Sequence, residues 1–328
     1  MSIEQLYKKF KIDPHKYMEG VILGDYSLIP VSPQVDLSCG GGIREGSLVI
    51  VSGHEKLGKS TFCLQAAANA QNMDDGITRK IYYFDVENKL LKRDLEGIHN
   101  LTIDENFVVL GSSETGPISA EKFFQMAENI VTNERHAIII FDSFSMLLTQ
   151  KELDYEFSEG RQRPDVPAYT SIFCKKMSQL IRPSKCTMFG INHVYTSQGA
   201  GVSYLSESGG KKIQYAGNYK FRLVSKKPIE EDGSQVGNKV TFMCMYHPSD
   251  SGSGEKEKLE FDHRFGYGID DVNDYLELAQ IYQIIKKSGA WYKFEDKQFQ
   301  GKGKLRTAMI EEPETFKQIQ ERVLAYIQ

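Results

Sequence analysis

An octapeptide at residues 53–60 has residue types and spacing that could bind phosphate, because it fits the pattern G-x-x-x-x-G-K-[ST]. Glycines let the backbone turn its N–H groups toward phosphate oxygens, and a helix N-terminus adds partial positive charge. Lys59 can reach the β- and γ-phosphates, and the Ser60 hydroxyl can hold Mg²⁺. The candidate nucleotide-binding residues are Gly53, His54, Glu55, Lys56, Leu57, Gly58, Lys59, Ser60 and Thr61. The alternative is an ordinary glycine turn.

The segments on either side of this loop favour phosphate binding. Residues 48–52 are a short β-rich run and residues 61–68 are good helix formers, so the motif lies between a strand and a helix. Further strands are predicted by apolar runs at residues 81–85, 107–110, 137–142 and 187–192. Strands that alternate with helices predict a parallel sheet, with ligands bound at the carboxyl ends of its strands.

Two of the intervening helices have clear patterns. One begins at Ser119, and its apolar face is formed by Phe123, Phe124, Ala127, Ile130 and Val131. The other is predicted at residues 169–181, and Pro183 is expected to end it.

Two carboxylates follow apolar strands at the expected ligand-binding edge. Asp142 ends one run, in a position suited to orienting Mg²⁺ opposite the phosphate loop; the alternative is an aspartate that caps the next turn. Glu87 follows the run at residues 81–85 and is the best candidate to align and deprotonate the water that attacks ATP. The alternative for Glu87 is a solvated loop residue, because spacing alone does not show that it points inward.

A third strand ends in Asn192 and His193, whose side chains could touch the γ-phosphate and report its presence. A lone histidine is otherwise more often structural. The following residues, 196–210, are small, polar and glycine-rich, and are predicted to form a long functional loop.

The pattern changes in the last third of the chain. Residues 221–224 and 239–245 predict antiparallel strands around a turn at residues 230–233, and residues 248–254 predict a polar turn. A domain boundary is expected near residues 266–268. Beyond it we predict a helix at residues 274–287, a hairpin at Trp291 and Tyr292, and a helix at residues 313–327, with Trp291 in the core.

Composition is that of an ordinary globular protein: 40% of the 328 residues are hydrophobic, 26% are charged, and the net charge is −4. The charged first residues do not resemble a signal peptide, and no apolar run is long enough to cross a membrane, so a cytoplasmic location is expected. The cysteines have no C-x-x-C pair or metal-ligand spacing, which predicts buried reduced thiols and neither zinc nor a disulfide.

Several separate motifs together resemble the RecA-type DNA strand-exchange ATPases. Within the first two thirds, the phosphate loop is followed in the family's order and spacing by residues 85–87, 141–143, 191–193 and 209–216. The tail resembles the carboxyl-terminal domain of bacterial RecA at residues 267–270, 284–292 and 301–303. His193, where bacterial relatives commonly have glutamine, and the short N-terminal arm are more similar to UvsX, the phage version, whose setting would be the cytoplasm of a bacterial host.

The resemblance implies a fold class and three regions. The fold is α/β, a RecA-type P-loop ATPase core whose mainly parallel sheet is flanked by helices, with a short N-terminal arm and a small C-terminal α/β domain. Residues 1–30 would be an oligomerisation arm, residues 31–267 the ATPase core, and residues 268–328 the C-terminal domain.

The resemblance also implies the activity and its partners. Such proteins bind ATP and Mg²⁺, assemble as a helical filament on single-stranded DNA, and exchange strands with duplex DNA, with the help of mediator and single-strand-binding proteins. The implied catalytic residues are Glu87, Lys59 and His193, with Ser60 and Asp142 as magnesium ligands. The implied DNA-binding residues lie in two axial loops, at residues 152–168 and 196–210, or directly after the second: Arg161, Arg163, Tyr204, Gly209, Gly210 and Lys211. The alternative for the first of these loops, which is acidic, is a flexible surface loop that does not bind DNA.

Basic residues crowd the C-terminal domain and could form a gateway for duplex DNA, with Lys286 and Lys302 as the leading candidates. The alternative is a solvated charged face.

Two departures from the family pattern keep other functions open. The family's two basic residues that reach a neighbouring subunit's ATP site have no Lys or Arg counterpart at residues 243–248, so His247, Lys256 or Lys258 would have to substitute. The aromatic residue that covers adenine is also hard to place. A ring-forming helicase or motor with the same core, and a non-catalytic regulatory paralogue, are the alternatives.

Overall fold

The computed structural model describes residues 25–112, 116–155, 166–199, 202–207, 216–231, 233–248 and 256–327. Its strands, in chain order from β1 to β15, are Leu28–Ile29, Ile43–Arg44, Leu48–Gly53, Ile81–Asp85, Phe107–Gly111, Ile138–Asp142, Thr187–Gly199, Val202–Glu207, Tyr219–Glu231, Ser234–Tyr246, Leu259–Arg264, Gly268–Asp270, Lys286–Ser288, Trp291–Phe294 and Lys297–Gln300.

The described α-helices lie between these strands or follow them. From α1 to α9 they are Pro33–Ser38, Lys59–Gln71, Lys92–Glu96, Ala120–Asn133, Gln150–Leu153, Val166–Ser184, Asp271–Ile281, Lys302–Glu311 and Pro313–Ile327.

The central sheet has the order β12-β11-β10-β9-β3-β7-β6-β4-β5, and β8 pairs with β7 outside this path. Strands β9, β3, β7, β6, β4 and β5 are parallel to their neighbours within this run, whereas β9 to β12 pair antiparallel. This arrangement confirms the predicted α/β fold class with a mainly parallel sheet flanked by helices.

The central strands form because their β-branched and aromatic residues are buried on both faces. Every residue of β3 is buried, as are the first four residues of β6, which is typical of a parallel sheet covered by helices. One face packs against α2, and the other packs against α4 and α6. The predicted apolar face of the helix that begins after Ser119 is confirmed, since its members are buried in α4.

Two predicted elements near the sheet are wrong in their bounds. The helix expected at residues 169–181 is α6, which runs past Pro183 to Ser184; the proline lies in the last turn and therefore does not end the helix before it. The loop expected at residues 196–210 is partly a hairpin, because β7 continues to Gly199 and pairs with β8 from Val194 opposite Glu207 to Gly199 opposite Val202.

The C-terminal part combines helices with a three-stranded antiparallel sheet of order β13-β14-β15. The predicted helix at residues 274–287 is wrong, because α7 covers Asp271–Ile281 and β13 begins at Lys286. The predicted final helix matches α9. Trp291 is also not in the core: it is 48% exposed, while Tyr292 and Phe294 on the opposite face of β14 are buried.

The prediction of buried reduced thiols is confirmed, since all five cysteines are buried and free. The polar turn predicted at residues 248–254 falls almost wholly outside the described residues. Among the helices described, none has the length and apolar character needed to cross a membrane.

Each of the two packed helices α1 and α7 carries a buried carboxyl group. Asp36 on α1 and Asp274 on α7 are 5% and 3% exposed, and this burial raises the pKa of each well above its usual value. The nearby charges of Asp262, Asp271 and Glu277 raise the pKa of Asp274 further, whereas a hydrogen bond from Ser32 lowers it. The protonated form of Asp274 is therefore the one that the fold favours.

We expect this burial to make stability pH-dependent. Because the folded-state pKa of Asp274 exceeds the unfolded value of about 3.9, its favourable contribution is present in acid and is lost as pH rises above about 4 through the folded pKa. Asp274→Asn cannot ionise, so its stability relative to the unmodified chain should increase between pH 5 and pH 8, by up to about 1.4 kcal/mol per pH unit. Urea unfolding of both proteins measures this difference. Asp296→Asn, at an exposed position, is the control, and parallel pH profiles for Asp274→Asn and the unmodified chain would contradict the prediction.

Candidate nucleotide-binding site

Of four adjacent parallel strands, β3, β6 and β4 end at one edge of the sheet, and β7 leaves the sheet at the same edge. Register places Gly53 beside His193, and Asp85 beside Asp142. A cleft of about 720 Å³ lies at this edge, within the usual size range of small-molecule sites. From the predicted site residues, the cleft is lined by Glu55, Lys56, Gly58, Lys59, Ser60, Thr61, Glu87, Asp142 and His193.

The phosphate loop is shaped by the glycine that precedes α2. Gly58 has φ +91°, a left-handed conformation that favours glycine, and it caps the helix without a side chain. The loop is also tethered from the sheet, because Lys226 Nζ on β9 donates to the Lys56 carbonyl at 2.9 Å. The first N–H groups of α2 have no acceptor within the helix, as at any helix N-terminus, and so suit an anionic ligand.

Lys59 begins α2 and is 6% exposed. Its ammonium donates to the carbonyls of Gly53 at 3.1 Å and His54 at 2.7 Å. Burial lowers its pKa, and the nearby Asp142 and Glu87 carboxylates oppose that change. A buried ammonium at the N-terminus of a helix suits an anionic ligand such as phosphate.

The two predicted magnesium ligands lie in contact. Ser60 Oγ donates to Asp142 Oδ2 at 2.5 Å, and Tyr83 OH donates to the same oxygen at 2.6 Å. Mg²⁺ prefers hard oxygen ligands and is commonly held in nucleotide sites by one or two protein groups together with phosphates. The hydroxyl and carboxylate oxygens therefore fit Mg²⁺, although Tyr83 was not among the predicted site residues.

Glu87 points into the cleft, and its side chain is only 10% exposed. Glu87 Oε1 accepts from Ser143 Oγ at 2.8 Å and lies 3.1 Å from His193 Nε2, while Oε2 accepts from Lys89 Nζ at 2.6 Å. The hydrogen bonds from His193, Lys89 and Ser143 lower the pKa of Glu87 to about 2, although burial opposes them. The Glu87 carboxylate is therefore ionised near neutral pH, and both of its oxygens have partners.

His193 is held from the sheet side by a short turn after β6. Its backbone N–H donates to Ser145 Oγ at 2.9 Å, and Ser145 Oγ donates to Asn192 Oδ1 at 3.2 Å. The turn can sit this close because Gly190 has no side chain: a Cβ there would lie 2.1 Å from the Phe144 ring. Ser143 and Ser145 therefore reach both ends of the His193–Glu87 pair.

Part of the cleft lining was not predicted. This part is a partly apolar group from two separate segments, Leu90, Arg93, Ile98, His263, Phe265 and Gly266. Phe265 is 54% exposed and packs edge-on against His263. Burial, aided by Lys226, lowers the pKa of His263, which keeps that imidazole neutral near pH 7. An aromatic ring that lines the cleft could cover a base, and no local spacing in the sequence signals it.

The structure describes only some of the predicted DNA-binding residues. Arg161, Arg163, Gly209, Gly210 and Lys211 lie outside the described residues, and Tyr204 is placed only by its backbone, opposite Ser197 in the β7–β8 hairpin. Lys286 is exposed on β13. Lys302 Nζ donates to Glu277 Oε1 at 2.8 Å, so its charge is already paired within the chain.

Comparison with known protein families agrees with this architecture. Residues 26–269 match the RecA N-terminal domain, and residues 263–328 match the RecA C-terminal domain. The chain belongs to the RecA family. The two matches together span the central sheet, the cleft and the C-terminal helices.

Individual relatives are distant but extensive matches. Protein RecA of Ruminococcus albus is 26% identical over 307 residues, covering 92% of this chain and 73% of that protein. Protein RecA of Saccharopolyspora erythraea is 25% identical, covering 92% of this chain and 85% of its own length. Protein RecA of Chloroherpeton thalassium is 26% identical, covering 98% and 87%.

Glu87→Gln should preserve the shape of the cleft but remove the carboxylate that could take a proton from water. We expect ATP binding to be retained and hydrolysis to fall by roughly 100-fold or more, the usual effect of losing a general base. Nucleotide affinity and phosphate release measure the two steps separately. Glu96→Gln, which makes the same change outside the cleft in α3, should have no effect, and normal turnover of Glu87→Gln would rule out the assigned role.

Proposed function

We propose that this chain is a DNA-dependent ATPase that forms a helical filament on single-stranded DNA and catalyses homologous pairing and strand exchange in recombination, repair and recombination-dependent replication. The observation that carries the proposal is the cleft, where Lys59, the Ser60–Asp142 contact and the Glu87–His193 pair meet at the ends of four adjacent strands. Membership of the RecA family supports the same reading.

In this proposal the cleft residues divide the work of hydrolysing ATP. Lys59 and the N–H groups at the start of α2 hold the phosphates, and Ser60 with Asp142 would hold the magnesium ion. That ion would supply positive charge against the phosphate oxygens. Glu87, oriented by Ser143 and His193, would align the attacking water and accept its proton.

His193 is proposed to connect the cleft with DNA. It touches Glu87 at the cleft and belongs to β7, the strand that continues into the β7–β8 hairpin. A change at the Glu87–His193 contact can therefore shift the strand that carries the proposed DNA-binding segment. Arg161, Arg163, Tyr204, Gly209, Gly210 and Lys211 stay proposed DNA contacts on the strength of the resemblance.

The duplex gateway is proposed to use the exposed face of the C-terminal sheet. Register pairs Lys286 with Lys293 and Ser288 with Trp291, so these four residues share that face. Two lysines beside an exposed tryptophan suit a phosphate backbone with adjacent bases. Lys302 contributes less in this arrangement because Glu277 neutralises it.

The finer assignments rest on the resemblance. We propose residues 1–30 as the oligomerisation arm, residues 31–267 as the ATPase core, and residues 268–328 as the C-terminal domain. A phage origin of UvsX type, a cytoplasmic location, and mediator and single-strand-binding partners belong to the same proposal.

One observation favours a second candidate, a non-catalytic regulatory paralogue: residues 243–248, at the end of β10, contain no Lys or Arg. ATP turnover with and without single-stranded DNA, with Lys59→Ala as background, separates the candidates. Turnover stimulated by DNA, with filaments in electron micrographs of the ATP-bound complex, supports the recombinase. Rings would support a helicase-like motor, and turnover no higher than that of Lys59→Ala would support the paralogue.

His193→Ala should uncouple the two ligands. We expect ATP still to bind but no longer to raise DNA affinity, with a loss of coupling of roughly 5–150-fold, and by reciprocity DNA should stop tightening ATP binding. DNA affinity with and without a non-hydrolysable ATP analogue measures the ratio. His193→Gln, whose amide can still donate to Glu87, is expected to restore much of it. An unchanged ratio in His193→Ala would make this residue only a structural strand end.

Replacing Lys286 and Lys293 together by alanine should weaken duplex binding and spare single-strand-stimulated ATPase activity. Each lost phosphate contact should also flatten the salt dependence by about 0.9 units of slope. Binding titrations at several salt concentrations measure both effects. Lys122→Ala with Lys317→Ala removes the same charge from exposed positions in α4 and α9 and is the control. An equal loss on both forms of DNA would reject the gateway.

A further inference from the structure

Lys89 is a cation in the cleft to which the proposed hydrolysis assigns no task. Its ammonium lies 2.6 Å from Glu87 Oε2, and its side chain is 72% exposed, whereas that of Glu87 is 10% exposed. An ion pair with so exposed a partner contributes little to the stability of a fold. The pair is therefore better explained by its position at the cleft than by support of the structure.

The backbone fixes where Lys89 projects. The buried Asp85 carboxylate accepts hydrogen bonds from the backbone N–H groups of Lys89 and Leu90, each at 3.1 Å. Within this turn Asn88 adopts a positive φ of +52°. This tight turn follows β4 directly and holds the base of the Lys89 side chain at the rim of the cleft. Only the flexible stem has to rotate for the ammonium to change partners.

The charges around the cleft leave few cations for a polyphosphate. Glu55, Asp85, Glu87, Asp94 and Asp142 all line it. The lysines and arginine that line the same cleft are Lys56, Lys59, Lys89 and Arg93. Arg93 lies 3.8 Å from Asp94, whereas Lys89 directly contacts the proposed catalytic carboxylate.

We propose that Lys89 senses the terminal phosphate of a nucleoside triphosphate in this cleft. When the triphosphate binds, the ammonium leaves Glu87 Oε2 for the terminal phosphate oxygens, and Oε2 becomes free to accept a hydrogen bond from water. A nucleoside diphosphate lacks that phosphate and leaves the Lys89–Glu87 pair in place. The inference rests on the proposed function, because it assumes that the cleft binds ATP.

The same movement would supply a positive charge from within the chain. The end of β10 at residues 243–248 offers no Lys or Arg to a neighbouring subunit's nucleotide. An ammonium has three donors and no acceptor, so it can exchange one anionic partner for another without leaving an unmatched group of its own. Lys89 would thus both discriminate the triphosphate and release the carboxylate that acts on water.

Competitive amine acylation followed by mass spectrometry tests this on the unmodified full chain, without using turnover. A non-hydrolysable ATP analogue with Mg²⁺ should lower the labelling of Lys89 by at least about fivefold relative to ADP with Mg²⁺, because only the analogue moves the ammonium from its exposed pair with Glu87 to the terminal phosphate. Lys92, which is 85% exposed and pairs with Glu96 in α3, is the internal control and should label equally in both states. Equal labelling of Lys89 with the two nucleotides would overturn the inference.

Binding measurements on variants keep the two proposals apart. Lys89→Ala should lower the affinity ratio of the ATP analogue to ADP by roughly tenfold, the usual worth of one charge-assisted hydrogen bond. Lys89→Arg should keep most of the ratio, and Lys92→Ala should not change it. If the unmodified chain binds the analogue but Lys89→Ala keeps the full ratio, only the role of Lys89 fails. If the unmodified chain binds neither nucleotide, both proposals fail.

Discussion

The Asp142 carboxylate is the contact on which the cleft depends. Its Oδ2 receives the hydroxyl of Ser60 from α2 and the hydroxyl of Tyr83 from β4, so one oxygen joins the phosphate loop to two strands of the sheet. Tyr83 is 2% exposed, and burial together with Asp142 raises its pKa, so the phenol stays a donor at any physiological pH. The buried Tyr83 hydroxyl thus helps to fix the position of the Ser60–Asp142 pair, the two residues proposed to bind Mg²⁺.

A second constraint lies one strand away. The turn that carries Ser143 and Ser145 rests on β7 through the Phe144 ring, and this close packing requires glycine at position 190. The two serines then position Glu87 and His193 from the same turn. Asp142 and its following turn therefore organise both halves of the site, the part that would hold the metal and the part that would act on water.

Local patterns predicted the elements that such constraints use. The β4 strand Ile81–Asp85, the buried face of α4 and the helix Pro313–Ile327 follow from periodicity within a few residues. Tyr83 could have been found in the same way, since alternation places it on the face of Asp85. Phe265 and His263 could not, because only the fold brings them into the same cleft as the phosphate loop and residues 89–98. The prediction that Trp291 lies in the core was wrong because hydrophobicity alone does not show which face of β14 is buried. Residues 196–199 form a strand because β8 pairs with them, and the glycine-rich sequence of this segment gives no sign of that pairing.

Strand β7 is supported differently along its two halves: its first half lies inside the central sheet, and its second half pairs outside that sheet. From Met188 to His193 it is clamped by β3, and near its start by β6, in the middle of the sheet. Beyond His193 it leaves the central sheet and, among the residues that the structure describes, pairs with β8 alone as far as Gly199. At about 3.3 Å per residue, this two-stranded ribbon reaches about 20 Å from the cleft. An isolated two-stranded ribbon is only marginally stable by itself. Because the ribbon is anchored at one end, a small tilt of the strand near His193 would give a larger displacement at the tip.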